Sequence, residues 1–198
     1  MKQLFTVTFA TIMLSYLLTM SSLVIAEQSQ QQITEQQQEV YHKHLKYEYR
    51  NRGRTYIGMS KAAKHSAGTD RGAFFQAYYE LEIINQKILG HMKNELGTNY
   101  NANWFTRSVL HMTGDILWRF VSPQQLIDVI IPYLPKLKEM QSLARYEHKP
   151  LFAYIVAQEQ AQLEASQAAK KESWDRGANV FKDFLPQAEA ELARITGL

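Results

Sequence analysis

From Phe74 to Leu96 the chain carries one broad apolar stripe, Phe74, Ala77, Tyr78, Leu81, Ile84, Ile88, Met92 and Leu96, recurring every three or four residues. That spacing puts every member on one face of a helix and commits the segment, about residues 71–96, to lying against other elements. The same period runs through the rest of the chain, and no segment alternates apolar with polar residues as a half-buried strand would. The fold class expected is all-α, a single-domain bundle of five to six helices. At 198 residues with 45% hydrophobic side chains, the chain is long enough for one real core.

Punctuation divides the period into elements. A first helix is expected over about 39–67, with Leu45, Tyr49, Arg52, Tyr56, Met59 and Ala63 along one face and Gly68 at its end. Thr69-Asp70 suits the cap of the second helix. Asn103 could cap a third, about 104–121. Ser122-Pro123-Gln124-Gln125 supplies cap, first-turn proline and capping-box glutamine for a fourth. Pro132 and Pro135 should kink or restart it before 137–144. Pro150 opens a fifth helix, and Ser173 can cap a last one at about 174–195, followed by Gly197. Gly53, Gly58 and Pro186 fall inside these segments and argue against their continuity. The fifth helix is apolar on two faces, with Ala157, Ala161, Ala165 and Ala168 on one and Phe152, Val156 and Leu163 nearly opposite. It is expected to be central, with a neighbour close against the alanine ridge. Asp-Arg-Gly-Ala occurs twice, at 70–73 and 175–178, each time at a helix start. The simpler account is aspartate accepting backbone N–H bonds there, rather than a duplication.

The N-terminus reads as a bacterial-type signal peptide over residues 1–26. Met1-Lys2 is positive, residues 4–18 are mostly apolar, and Val24-Ile25-Ala26 offers small-residue cleavage after Ala26. An uncleaved inner-membrane anchor is the alternative, since residues 4–26 are long enough to span a bilayer. The expected location is therefore periplasmic or secreted. Residues 27–38, with seven glutamines, read as a polar tether or a frayed helix start rather than a core element, and 39–198 as the bundle domain.

With no cysteine, disulfides, thiolate catalysis and cysteine-ligated metals are excluded. Without Lys2, 21 basic residues face 19 acidic ones, so the mature chain is nearly neutral and nucleic acid is not an expected partner. Lys43, Lys46, Arg50, Arg52 and Arg54 crowd the first helix. They could face an anionic surface, but a solvated helix face is the plainer account. Membrane contact is expected only through an uncleaved leader. Phosphate loops, a nucleophile elbow and a His-Glu-x-x-His motif are all missing. The six histidines form no metal-ligand pair.

Three glutamates are the sharpest chemical signal. Glu48, Glu82 and Glu159 border the apolar faces of the first, second and fifth helices. Inward glutamates on long helices resemble the bundle geometry of di-iron carboxylate proteins, which add two Glu-x-x-His pairs. Here those windows read Glu82-Ile-Ile-Asn85 and Glu159-Gln-Ala-Gln162, so both imidazoles are replaced by amides and no metal, cofactor or catalytic residue is expected. The plainer reading pairs Glu48 with Arg52 four residues on, and Glu82 and Glu159 with neighbouring bases or water. Tyrosines concentrate in the first half of the chain, and such residues suit a groove or interface as well as ordinary helix boundaries. Tyr49, Arg52, Tyr56, Tyr78, Glu48, Glu82 and Glu159 are thus the candidate binding residues. The functional expectation is an exported helical binding or interaction protein without its own catalytic site, with a protein or envelope partner. The alternative is a bundle enzyme or ligand-binding protein with a degenerate ferritin-like carboxylate site.

Overall fold

The computed structural model describes residues 34–95 and 121–197. Among these the chain is all-α, with six α-helices, one short 3-10 turn and no strand. The helices are α1 (Glu35–His65), α2 (Asp70–Glu95), α3 (Pro123–Ile130), α4 (Leu134–Leu143), α5 (Lys149–Lys171) and α6 (Trp174–Thr196). The leader and the expected helix at 104–121 lie outside the described residues, apart from Val121, which is not helical. Among the described residues no helix is long and apolar enough to cross a membrane. Residues Glu39–Leu198 form one compact unit.

The helix boundaries follow local chemistry. α1 starts four residues earlier than expected, inside the glutamine-rich stretch, so residues 35–38 are helix rather than tether. Thr34 and Gln37 explain it, forming a reciprocal cap: Gln37 N donates to Thr34 Oγ1 and Thr34 N donates to Gln37 Oε1 (2.9 Å). The same device, Ser122 with Gln125, starts α3 as its sequence predicts. At the two Asp-Arg-Gly-Ala sites the caps are the preceding hydroxyls, not the aspartates. Gly72 N donates to Thr69 Oγ1 and Arg176 N to Ser173 Oγ. Gly68 and Gly197 end their helices with φ of 80° and 73°, the left-handed region that glycine enters without a Cβ clash. Pro132 lies in the turn between α3 and α4, and Pro135 in the first turn of α4. Pro186 leaves α6 unbroken and sits on its exposed side.

α5 is the central element: it packs on α3, α4 and α6, and α6 also packs on α2. Of its alanine ridge, Ala165 meets α6 closely, together with Ala169 just beyond the ridge. A Cβ on Gly177 would sit 2.5 Å from the Ala165 carbonyl oxygen and 2.9 Å from the Ala169 Cβ. Around this contact Phe74, Phe75, Trp174 and Phe181 interlock edge to face, with the Phe74 ring 5.0 Å from Trp174 and 5.2 Å from Phe181. Leu45, Met59, Ala62 and Ala63 bring α1 into the same core.

Candidate functional site

The three glutamates converge, and Arg52 is what they converge on. Its side chain leaves α1 inward and is 1% exposed. Nε donates to Glu48 Oε1 (2.8 Å), one turn back on the same helix. Nη1 donates to Glu82 Oε1 on α2 (2.7 Å) and to Gln158 Oε1 on α5 (3.2 Å). Nη2 donates to Glu159 Oε2 on α5. The Glu48–Arg52 pair is the one expected from i, i+4 spacing. Glu82 and Glu159, by contrast, bond no neighbouring base: both reach the same distant guanidinium. Short-range spacing could not reveal this, because the partner lies 30 and 107 residues away.

A ring of neutral groups closes the cluster. Asn85 Nδ2 donates to Glu82 Oε1 (3.2 Å) and Gln158 Oε1 (2.9 Å), and Asn85 Oδ1 accepts from the Tyr154 hydroxyl (2.6 Å). Gln162 Nε2 donates to Gln158 Oε1 (2.8 Å), and its Oε1 accepts from the Tyr78 hydroxyl (2.5 Å). The Tyr133 hydroxyl donates to Glu48 Oε2. Thus the two amides that stand where a di-metal bundle needs imidazoles hold the carboxylate network together. The guanidinium lies between the three carboxylates and bonds each of them. Among the described residues no group of three or more metal-ligating side chains could hold a metal ion.

The cluster combines one guanidinium with three carboxylates, a formal surplus of two negative charges among buried side chains. Burial raises the Glu82 carboxyl above its usual range, against the pull of Arg52. Glu159 is pushed up to about 7, first by burial and then by Glu48 and Glu82, with Arg52 opposing. For Arg52 burial works against the charge, yet the three carboxylates overcome it and raise its pKa well above the ordinary value. Glu82 Oε2 is buried without a hydrogen-bond partner, a position that suits the protonated, uncharged form.

Beside this cluster lies a cavity of about 400 Å³. Asn51, Thr55 and Met59, spaced one turn apart, form its α1 wall. Leu126, Val129 and Ile130 form its α3 wall, and Tyr78, Glu159 and Gln162 lie at its floor. Glu159 therefore faces two ways. Oε2 takes the Arg52 and Gln158 bonds, and no described residue donates to Oε1. Val129 is 64% exposed, so the cavity reaches the surface past α3.

Of the seven candidate residues, Glu48, Arg52, Glu82, Glu159 and Tyr78 belong to one site. Tyr49 is buried in the core, and Tyr56 packs against Tyr79 with ring centroids 5.4 Å apart. Lys43, Lys46, Arg50 and Arg54 are exposed, which separates Arg52 from the basic crowd it belongs to in sequence. Gln158, Tyr133 and Tyr154 were not among the candidates. Tyr154, Gln158 and Gln162 follow one another at i, i+4 and i+8, a polar line along α5 between its two apolar faces, and that spacing was the available signal. Comparison with known protein families, characterised proteins and solved structures finds no match.

Proposed function

We propose that this protein is an exported, periplasmic or secreted, helical binding protein without a catalytic site of its own, and that what it binds enters the cavity beside the Arg52 cluster. The carrying observation is the division of labour at Glu159: one carboxylate oxygen is tied to Arg52 and Gln158, and the other is left at the floor of a largely apolar cavity. A volume of about 400 Å³ with few polar groups falls in the usual small-ligand range of roughly 300–1,000 Å³. Catalysis is the weaker reading, although a carboxyl near neutrality could move a proton. The neighbouring Thr55 hydroxyl is already donated to the Asn51 carbonyl at 3.0 Å, so it is not poised toward Glu159 as an activated nucleophile.

Native mass spectrometry of the protein from envelope fractions tests this. The expected species starts at Glu27 and takes up one equivalent of the neutral apolar dye N-phenyl-1-naphthylamine, displaced when Val129→Trp blocks the mouth. A retained Met1–Ala26 segment overturns the cleavage, and dye uptake unchanged by Val129→Trp overturns the cavity.

A further inference from the structure

We infer that the cavity binds a small amphipathic cation, an apolar body carrying a primary ammonium or amidinium head, with the head held by Glu159 Oε1. This rests on the reading of the cavity as a ligand site and names its ligand class.

Charge decides the sign of the head. Among the described residues Arg52 is the one cation bonded to Glu48, Glu82 and Glu159, and with Glu82 in the uncharged form that its unserved Oε2 suits, an ionised Glu159 leaves the floor one negative charge in surplus. An anionic head would add to that surplus in a place where burial already disfavours charge. A neutral head would leave it as it stands. A cation removes one unit of it, and an N–H donor complements an oxygen that no described residue serves. The remaining floor groups cannot replace it as the anchor. The Gln162 carbonyl oxygen already accepts from Tyr78 and its amide donates to Gln158, so Gln162 orients the floor without a spare strong acceptor.

The walls decide the body. Met59, Val121, Leu126, Val129 and Ile130 offer aliphatic surface and the Tyr78 ring adds to it, whereas the polar groups are Asn51 and Thr55 on the α1 side and Gln125 on the α3 side, whose side-chain carbonyl oxygen is already taken by the Ser122 N–H. Burying such surface against a ligand is favourable at about 25 cal/mol per Å². A fully hydrated polyamine or a sugar would forfeit that gain, so the chemistry fits an arylalkyl or alkyl monoamine. Glu159 titrates among Arg52, Glu48, Glu82 and the Gln158 amide, and a pKa held near neutrality means that ammonium binding would draw it into the ionised form.

Isothermal titration of the mature chain with 4-phenylbutylamine, 4-phenylbutanol and 4-phenylbutyrate tests the assignment, because the three share a body and differ in the head. The expected result is 1:1 amine binding at least about tenfold tighter than the alcohol, roughly 1.4 kcal/mol, and no measurable binding of the carboxylate. Glu159→Gln should bring amine and alcohol to equal affinity. Val129→Trp, at an exposed rim position that does not threaten folding, should weaken both. Equal affinity of the wild type for amine and alcohol, or an amine preference that survives Glu159→Gln, overturns the head-group assignment. If N-phenyl-1-naphthylamine enters the cavity while the amine does not bind, the ligand class alone falls. If neither binds, the cavity reading falls with it.

Discussion

The core of this bundle is built in two ways on two sides of α5. Toward α6 it is held by contact: Gly177 admits the α5 backbone, alanines line the approach, and Phe74, Trp174 and Phe181 fill the space around it. Toward α1 and α2 it is held by charge, with a guanidinium and three carboxylates tied by amides and phenols. Tyr78 joins the two, since its ring stacks on Phe181 at 4.6 Å while its hydroxyl donates to Gln162. The contact side gains from burial at every atom. The charged side gains only while every partner is present, because desolvating four ionisable groups costs nearly as much as their pairing returns. Breaking one group on each side should therefore give unlike results.

The largest effect is expected at Arg52. Arg52→Met removes the shared donor and leaves Glu48, Glu82 and Glu159 buried against one another, costing on the order of 3–5 kcal/mol. Adding Glu48→Gln, Glu82→Gln and Glu159→Gln to the same chain should recover most of that loss, since the cost lies in unpaired charge. Urea midpoints of the single and quadruple variants check it. A quadruple variant no more stable than Arg52→Met would mean that the guanidinium contributes by shape rather than charge.

Acidity probes the same side more gently. The Glu159 carboxyl is raised from 4.5 to about 7, so between those values the unfolded chain ionises more readily than the folded one. Stability should then fall as pH rises from about 4.5 to about 7, by at most roughly 1.4 kcal/mol per pH unit for one group. Glu82, shifted in the same direction, adds to the trend. Glu159→Gln should flatten the profile, and thermal midpoints across that range are the measurement. A wild-type midpoint that climbs through the window would contradict the buried-carboxyl account.

These two sides were not equally legible in the sequence. The contact side was, because period and small-residue spacing are local: Ala161 and Ala165 on α5, the stripe on α2 and the Ser173 cap can each be read within two or three turns. The charged side was legible only in its members. Glu48, Glu82, Glu159, Arg52, Asn85 and Gln162 all drew notice, yet their meeting depends on how three helices turn toward each other. Arg52 shares a face with Leu45, Tyr49 and Met59, yet beyond Glu48 nothing local says which carboxylates it meets. The cavity was not legible at all, since its walls come from helices joined by distant stretches of chain. The early start of α1 is only half legible: the glutamine-rich stretch allows a frayed helix start, but its composition hides the Thr34–Gln37 cap that fixes where the helix begins.

The smallest expected effect lies on the contact side, and it sharpens the comparison most. Gly177 sits in the first turn of α6, where helix propensity favours alanine over glycine by up to about 1 kcal/mol. By propensity alone Gly177→Ala should stabilise the protein. Against that, the new Cβ would lie 2.5 Å from the Ala165 carbonyl oxygen, and 2.9 Å from both the Ala169 Cβ and the Phe74 ring. The nearest of these atoms is backbone, so relief requires α5 and α6 to separate rather than a side chain to turn. Overpacking of this kind costs about 1–3 kcal/mol, which exceeds the propensity gain, so Gly177→Ala should destabilise on balance. Unlike Arg52→Met, it should also respond to a change of volume elsewhere in the contact: Ala169→Gly removes one of the opposing atoms and should return part of the loss, whereas neutralising Glu159 should return none. A double-mutant cycle in urea reads both couplings. Coupling of Gly177→Ala to Glu159→Gln as strong as to Ala169→Gly would mean that the two sides of α5 are one structure after all.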